Sequence, residues 1–352
     1  RSPATTSAAA RVVVEAGVPD AKGAKWSPDG TCVLTASGAE ALVFEVPHAA
    51  LRLEKNDVGD AWTPVLRCAE GEAVADYAWY PLQHSSDPVT CCFASTSRDQ
   101  PVHLWDAFSG TLRASYVPWN DYDEVRGALS VAFSETRIFA GADNAVFVFD
   151  VAVPGSSCDT RRSAAKRTAT PEPRGFMGAL ATQGPHLYAA GSYSGTCGVY
   201  DLRQTAAIAV FSDDGLRGVT ALRFANDTLF AGGRAEPHGS VRAWDLRTHR
   251  LRRRYARTAR TNQRLGFDLL STVGVLATAD DDRGALLYDL DGDEAWAAVK
   301  DRADDVVHDV AFHPHLPLLA LALGQRRYHS AHRSALQLWT SPPIIEESRA
   351  SS

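Results

Sequence analysis

Residues 219–257 read VTALRFANDTLFAGGRAEPHGSVRAWDLRTHRLRRRYAR, and this single unit carries the pattern that decides the fold. It contains four strand signals: the alternating run VTALRFA, the small-residue run TLFAGG, a run closing on an aromatic and an acid (VRAWDL), and the outer run LRRRYAR. Asn, Asp, Gly and Pro punctuate them, as turns between short strands require. The aromatic-acid ending recurs in ALVFEV, VHLWDA, VFVFDV, CGVYDL and LLYDL and, with the acid lost, in LQLWT. Its aromatics are Phe44, Trp105, Phe149, Tyr200, Trp244, Tyr288 and Trp339, at intervals of 61, 44, 51, 44, 44 and 51 residues.

A repeat of about 40–45 residues built from four strands is the signature of a propeller blade. The chain is therefore expected to be all-β, a seven-bladed WD40-type β-propeller over residues 11–340. The prolines and acids of TSPPIIEESRASS make a poor strand after Trp339, whereas RVVVEAG (11–17) precedes the first unit. This N-terminal strand is expected to complete the last blade and close the ring, removing the exposed sheet edge. Residues 1–10 and 341–352 are expected to be disordered. The units lack the Gly-His that usually opens a WD repeat, and some keep a turn aspartate (Asp99, Asp143), so the repeats are degenerate.

Composition narrows the function classes. Of 352 residues, 45% are hydrophobic, with 8 Trp and 13 Phe, enough for a substantial core. Six scattered cysteines form no C-x-x-C pair, which suits reduced thiols better than a disulfide framework or a zinc site. No apolar run approaches the ~18 residues of a membrane span, and RSPATTSAAA lacks the apolar core of a signal peptide. A cytosolic or nuclear location and no membrane partner are expected. An initial Arg in place of Met points to a fragment.

The net charge is -6, yet Arg247 to Arg264 contains eight arginines and no acid. Edge protection of an outer strand needs only one or two charges. Arginine suits bidentate phosphate contacts and stacking on unpaired bases, so Arg252, Arg253, Arg254, Arg257 and Arg260 are candidate contacts along a stripe across the side of the ring. A second basic segment, TRRSAAKRTATPEPR (160–174), reads as a mobile loop.

Catalytic and metal signals are weak. His308, His313 and His315 straddle a strand and a Pro-marked turn, where side chains diverge. DLDGDE (289–294) has Glu294 at the glycine position of a calcium loop, and GSYSG (191–195) has Tyr193 in place of a nucleophile. No enzyme activity, catalytic residue, metal or cofactor is expected.

KWSPDGTCVLTAS (25–37), VLRCAEGEAVADYAWYP (65–81), STSRDQPVHLWDAFSGTLRASY (95–116), GSYSG (191–195), TNQRLGFDL (261–269) and HPHLPLLALALGQR (313–326) together resemble the telomerase Cajal body WD-repeat protein family. RDQPVHLWDAFSGTLRAS and TNQRLGFD lie outside any generic repeat consensus. The resemblance implies a non-enzymatic RNA-binding scaffold that recognises loop motifs of box H/ACA small Cajal body RNAs and telomerase RNA. It implies H/ACA ribonucleoprotein and telomerase proteins as partners, with roles in particle assembly, nuclear localisation and telomere maintenance. Residues in matching strings become candidate RNA contacts: Arg98 and His103 with Trp105, and Thr261, Asn262, Gln263 and Arg264. Loop bases are held by stacking and by amide or guanidinium hydrogen bonds, chemistry that Asn262, Gln263, Arg260 and Arg264 supply. Turn-capping by the same amides is the alternative reading. At the level of the whole chain the alternative is a scaffold that binds acidic or peptide partners without RNA.

Overall fold

Period-two alternation makes each strand offer one row of apolar side chains to the blade before it and another to the blade after it. In the first blade Val33, Leu42 and Phe44 face the last blade, whereas Leu34, Ala36, Ala41 and Val43 face the second. Seven apolar clusters of this kind lie at the seven interfaces between neighbouring blades. The computed structural model that shows this describes residues 10–53, 61–120, 122–163, 172–234, 239–260, 262–299, 306–324 and 334–340. The ends expected to be disordered, 1–9 and 341–352, and residues 164–171 of the second basic segment lie outside the described residues.

Seven four-stranded antiparallel sheets form the blades of a β-propeller. Blade 5, the unit quoted first, comprises Ala221–Ala225, Thr228–Gly232, Ser240–Asp245 and Arg250–Ala256, from the innermost strand to the outermost. Blade 2 runs from Val74–Trp79 through Cys92–Ser97 and Val102–Asp106 to Leu112–Tyr116. Blade 6 runs from Phe267–Leu270 through Val275–Asp280 and Gly284–Asp289 to Ala295–Val299. The third-strand aromatics are buried in six blades, while Tyr200 is half-buried and stacks on Tyr188 at 5.0 Å. The longest interval, 61 residues, holds the one short helix among the described residues, His48–Leu51, between the third and fourth strands of blade 1.

Blade 7 takes its outermost strand from the N-terminal side, as expected. Val12–Gly17 pairs antiparallel with Ala335–Thr340, with Glu15 opposite Gln337. Polar ties cross between blades as well. The Trp26 indole donates to the Ala311 carbonyl at 3.1 Å, Trp79 to the Lys25 carbonyl at 3.0 Å, and the Tyr255 hydroxyl to the Leu290 carbonyl at 2.8 Å.

Removal of residues 1–17 should leave Ala335–Thr340 as a bare edge and uncover apolar surface at Leu336 and Leu338. The expected outcome is a fall of roughly 10 °C or more in the melting midpoint, on the order of 7 kcal/mol at about 2.1 cal/mol/K of unfolding entropy per residue, with aggregation on heating. Scanning calorimetry and light scattering check it; an unchanged midpoint would reject closure by this strand.

A candidate nucleic-acid interface at the channel mouth

Two sets of connections meet at one face of the ring: those leading into each innermost strand, and those joining each second strand to its third. The innermost strands do not meet at the axis, so this face opens into a cavity of about 810 Å³. A smaller cavity of about 400 Å³ opens toward the other face. The larger is rich in charged groups: Lys22, Lys25, Arg223, Arg234, Arg260 and Arg264 line it with Asp20, Asp76, Asp281, Asp282 and Asp309.

Its deep part is a fixed charge lattice. Arg264 Nη1 lies 3.0 Å from Asp76 Oδ1 and Lys25 Nζ lies 3.0 Å from the same oxygen, so residues from blades 1 and 2 and the loop into blade 6 meet around one carboxylate. Burial by itself would raise the Asp76 carboxyl, but Arg264 and Lys25 together hold it down to about 2. Lys25 is lowered, first by burial and then by the like charges of Arg264 and Arg223. The Arg264 guanidinium is raised: burial opposes its charge, and the carboxylates of Asp76 and Asp309 outweigh burial. Asp309 sits where only glycine leaves space, because a Cβ on Gly266 would fall 1.5 Å from its Oδ1. This accounts for the glycine in TNQRLGFD.

The expected RNA contacts separate into three groups. Arg260, Asn262, Gln263 and Arg264 come together at the mouth; Asn262 is exposed, and Arg264 is 37% exposed with its guanidinium turned into the channel. Arg98 is exposed in the turn between the second and third strands of blade 2, at this same face. Arg252, Arg253 and Arg254 lie on the outermost strand of blade 5, away from the mouth. Thr261 lies outside the described residues.

Two expected contacts are enclosed instead. Arg257 is 2% exposed, and its guanidinium donates to the carbonyls of Gly233, Leu265 and Gly266 and to the Thr278 hydroxyl. It joins blades 5 and 6 and offers no surface to a polynucleotide, which corrects its place in the stripe. His103 bonds through Nδ1 to buried Glu70 at 2.8 Å. Ser95, Ser97 and the Trp105 indole also donate to Glu70. These bonds, His103 foremost, outweigh the effect of burial and lower the Glu70 carboxyl. His103, its side chain 15% exposed, is thereby tied across the blade boundary to the acid just beyond the outer strand of blade 1.

The arginine run is also less bare than its primary structure suggests. Arg254 reaches Asp213 at 2.7 Å, Arg253 reaches Asp293 at 3.0 Å, Arg260 reaches Asp282 at 3.2 Å, and Arg252 lies 3.5 Å from Asp245. Each acid comes from another strand or blade. Of these pairs Arg260–Asp282 is exposed on both sides; such a pair contributes little stability, so Arg260 exchanges its partner readily.

Two residues of the mouth escape sequence reasoning: Arg234, whose guanidinium carbon lies 3.9 Å from the centre of the Tyr193 ring, and Tyr193 itself. GSYSG had drawn notice for lacking a nucleophile and as one string of the family resemblance, with no role given to its tyrosine. An aromatic in the turn between the second and third strands of a blade was the available signal.

Comparison with known proteins follows from this geometry. Telomerase Cajal body protein 1 of Rattus norvegicus is 37% identical over 322 residues, covering 87% of this chain and 59% of the relative. The protein of that name from Homo sapiens is 35% identical over 323 residues, covering 87% and 57%. The Drosophila melanogaster homolog is 32% identical over 330 residues, covering 89% and 58%. The chain thus spans less than three fifths of the length of these relatives. No family model matches it.

Two outcomes test the site's construction. Arg257→Ala should cost roughly 2–4 kcal/mol in urea unfolding, because buried carbonyls lose their donor, whereas Arg252→Ala should stay within about 0.5 kcal/mol. Asp76 has a folded-state pKa below its ordinary 3.8. Its stabilisation is therefore complete above about pH 4 and is lost as pH falls toward 2, an effect of about 2 kcal/mol. Asp76→Asn should remove that share of the acid sensitivity and lower stability at neutral pH. An unchanged slope of stability against pH between 4 and 2 would contradict the lattice.

Proposed function

The chain is a homologue of telomerase Cajal body protein 1, and we propose that it is a non-enzymatic RNA-binding scaffold of telomerase and small Cajal body ribonucleoproteins. In this reading the mouth recognises loop motifs of box H/ACA small Cajal body RNAs and telomerase RNA. The protein then works in the nucleus, in Cajal bodies where these exist, with H/ACA and telomerase proteins as partners, and supports particle assembly and telomere maintenance.

One observation supports it most: Asn262, Gln263 and Arg264 of the TNQRLGFD string line a cationic cavity together with Arg260 and an aromatic ring. An exposed amide and exchangeable guanidinium groups beside a ring are the groups that hold an unpaired loop base and its phosphates. Arg98 at the same face, and Arg252 to Arg254 on the rim, supply outlying phosphate contacts.

A second reading, a scaffold for peptide or acidic protein partners, is favoured by Leu82, Val89, Phe108 and Leu112. All four are exposed at the other end of blade 2. Such a patch suits a protein partner that binds while RNA occupies the mouth.

For the purified chain and a stem-loop from a box H/ACA small Cajal body RNA, three to five phosphate contacts predict a slope of log affinity against log salt of roughly -2 to -3.5. Arg260→Ser should flatten it by about 0.7, and Asn262→Ala should weaken binding without changing it. Affinity indifferent to both substitutions would exclude the mouth. Partners that survive nuclease treatment before co-purification would support the second reading.

A further inference from the structure

We propose that Phe176, Tyr193 and Arg234 form a stacking platform that receives one unpaired RNA base at the channel mouth; this rests on the RNA-binding reading above. Phe176 is 53% exposed, a large apolar ring left in water at the face where the mouth opens. Its ring meets Tyr193 edge-to-face at 6.3 Å, and the Tyr193 amide donates to the Phe176 carbonyl at 2.9 Å. Arg234 completes the trio with its guanidinium 3.9 Å from the Tyr193 ring centre.

The surroundings are shaped to seat this trio. A Cβ on Gly178 would fall 2.0 Å from Tyr193 and 2.7 Å from the Val219 carbonyl oxygen. One on Gly218, which adopts φ +51°, would fall 2.9 Å from Arg234 Nε. Both neighbours therefore leave space for the aromatic and guanidinium groups. Tyr193 and Arg234 line the same cavity as Asn262 and Gln263. A base lying on the ring is thus near amides that can read its edge.

The platform also has a direction. Asp143 bridges to Phe176 in the backbone and accepts from Arg126 Nη1 at 2.8 Å through its carbonyl. Arg126 belongs to the loop into blade 3, which carries Trp119 and, 83% exposed, Tyr122. Exposed rings alternating with guanidinium groups along one face are the arrangement that tracks a single strand of nucleic acid, since every base has a π-face.

The test uses the full chain with the same small Cajal body RNA stem-loop, and with versions of it carrying an abasic site at each loop position in turn. Tyr193→Ala should weaken binding roughly 5- to 100-fold, by the same factor at low and high salt. Tyr193→Phe should bind like wild type. One abasic position should cost wild type a similar factor and add nothing in Tyr193→Ala. Phe176→Ala, at an exposed ring, guards against misfolding and should also weaken binding with an unchanged melting midpoint. Wild-type affinity in both alanine variants, or indifference of wild type to every abasic site, overturns the platform. If Arg260→Ser still weakens binding, the RNA reading stands without it; a wild-type chain that binds no RNA refutes both.

Discussion

The antiparallel pairing of Val12–Gly17 with Ala335–Thr340 is the constraint on which the other features depend. Each blade buries its apolar rows only against its neighbours, so an open array would leave two blades half-solvated and two sheet edges unpaired. Joining the first strand to the last blade converts six interfaces into seven. It also fixes the ring's diameter, and hence the size of the opening at its axis. Seven innermost strands ring the axis, each packed against its neighbours, and the space they enclose cannot be filled by apolar side chains from strands that already commit both faces to neighbouring blades.

That geometry explains why the axis is charged. Lys25, Arg223 and Arg264 meet Asp76, Asp268 and Asp309 across it, and each charge has a counter-charge from another blade. Burial opposes the charges of Lys25, Asp76, Arg264 and Asp268; Asp268, for which burial outweighs Arg223, is raised. Arg264 spans from the loop into blade 6 to Asp76 on the innermost strand of blade 2, a separation of 188 residues. The lattice acts as a polar plug that ties distant blades and excludes alternative packings of the loop that carries Asn262 and Gln263.

Much of the architecture was legible because it is local and repeated. The aromatic-acid strands, their spacing and the surplus N-terminal strand mark all seven blades without any knowledge of contacts. What sequence could not give is pairing in space. The acids that neutralise Arg252, Arg253, Arg254 and Arg260 are remote in the chain or on the adjacent strand, so a run that reads as bare cation is largely paired. Arg257 was misplaced for the same reason, since a guanidinium holding carbonyls looks like any exposed Arg in primary structure; the carboxylate that His103 holds was equally hidden. One relation could have helped. In blades 2 and 5 the residue two positions before the third-strand Trp, His103 or Arg242, pairs with an acid just beyond the preceding blade's outer strand, Glu70 or Asp213.

The two layers of charge at the mouth have different capacities for exchange, and this separates structure from recognition. Asp76 is 4% exposed and shared by two cations, so no incoming phosphate can replace it without leaving a buried carboxylate unpaired. Arg260 and Asp282 are both largely exposed at 3.2 Å, where water already screens the pair, so trading the carboxylate for a phosphate costs little. A polyanion arriving at this face therefore finds an outer ring of arginines that can change partners and an inner ring that cannot. Tyr193, Arg234 and Asn262 line or adjoin the same cavity, and the stacking of Tyr193 and the hydrogen bonding of Asn262 do not depend on net charge. Under the proposed RNA-binding reading, the outer arginines would set affinity and the middle groups discrimination, while the inner lattice ties the loop to Asp76.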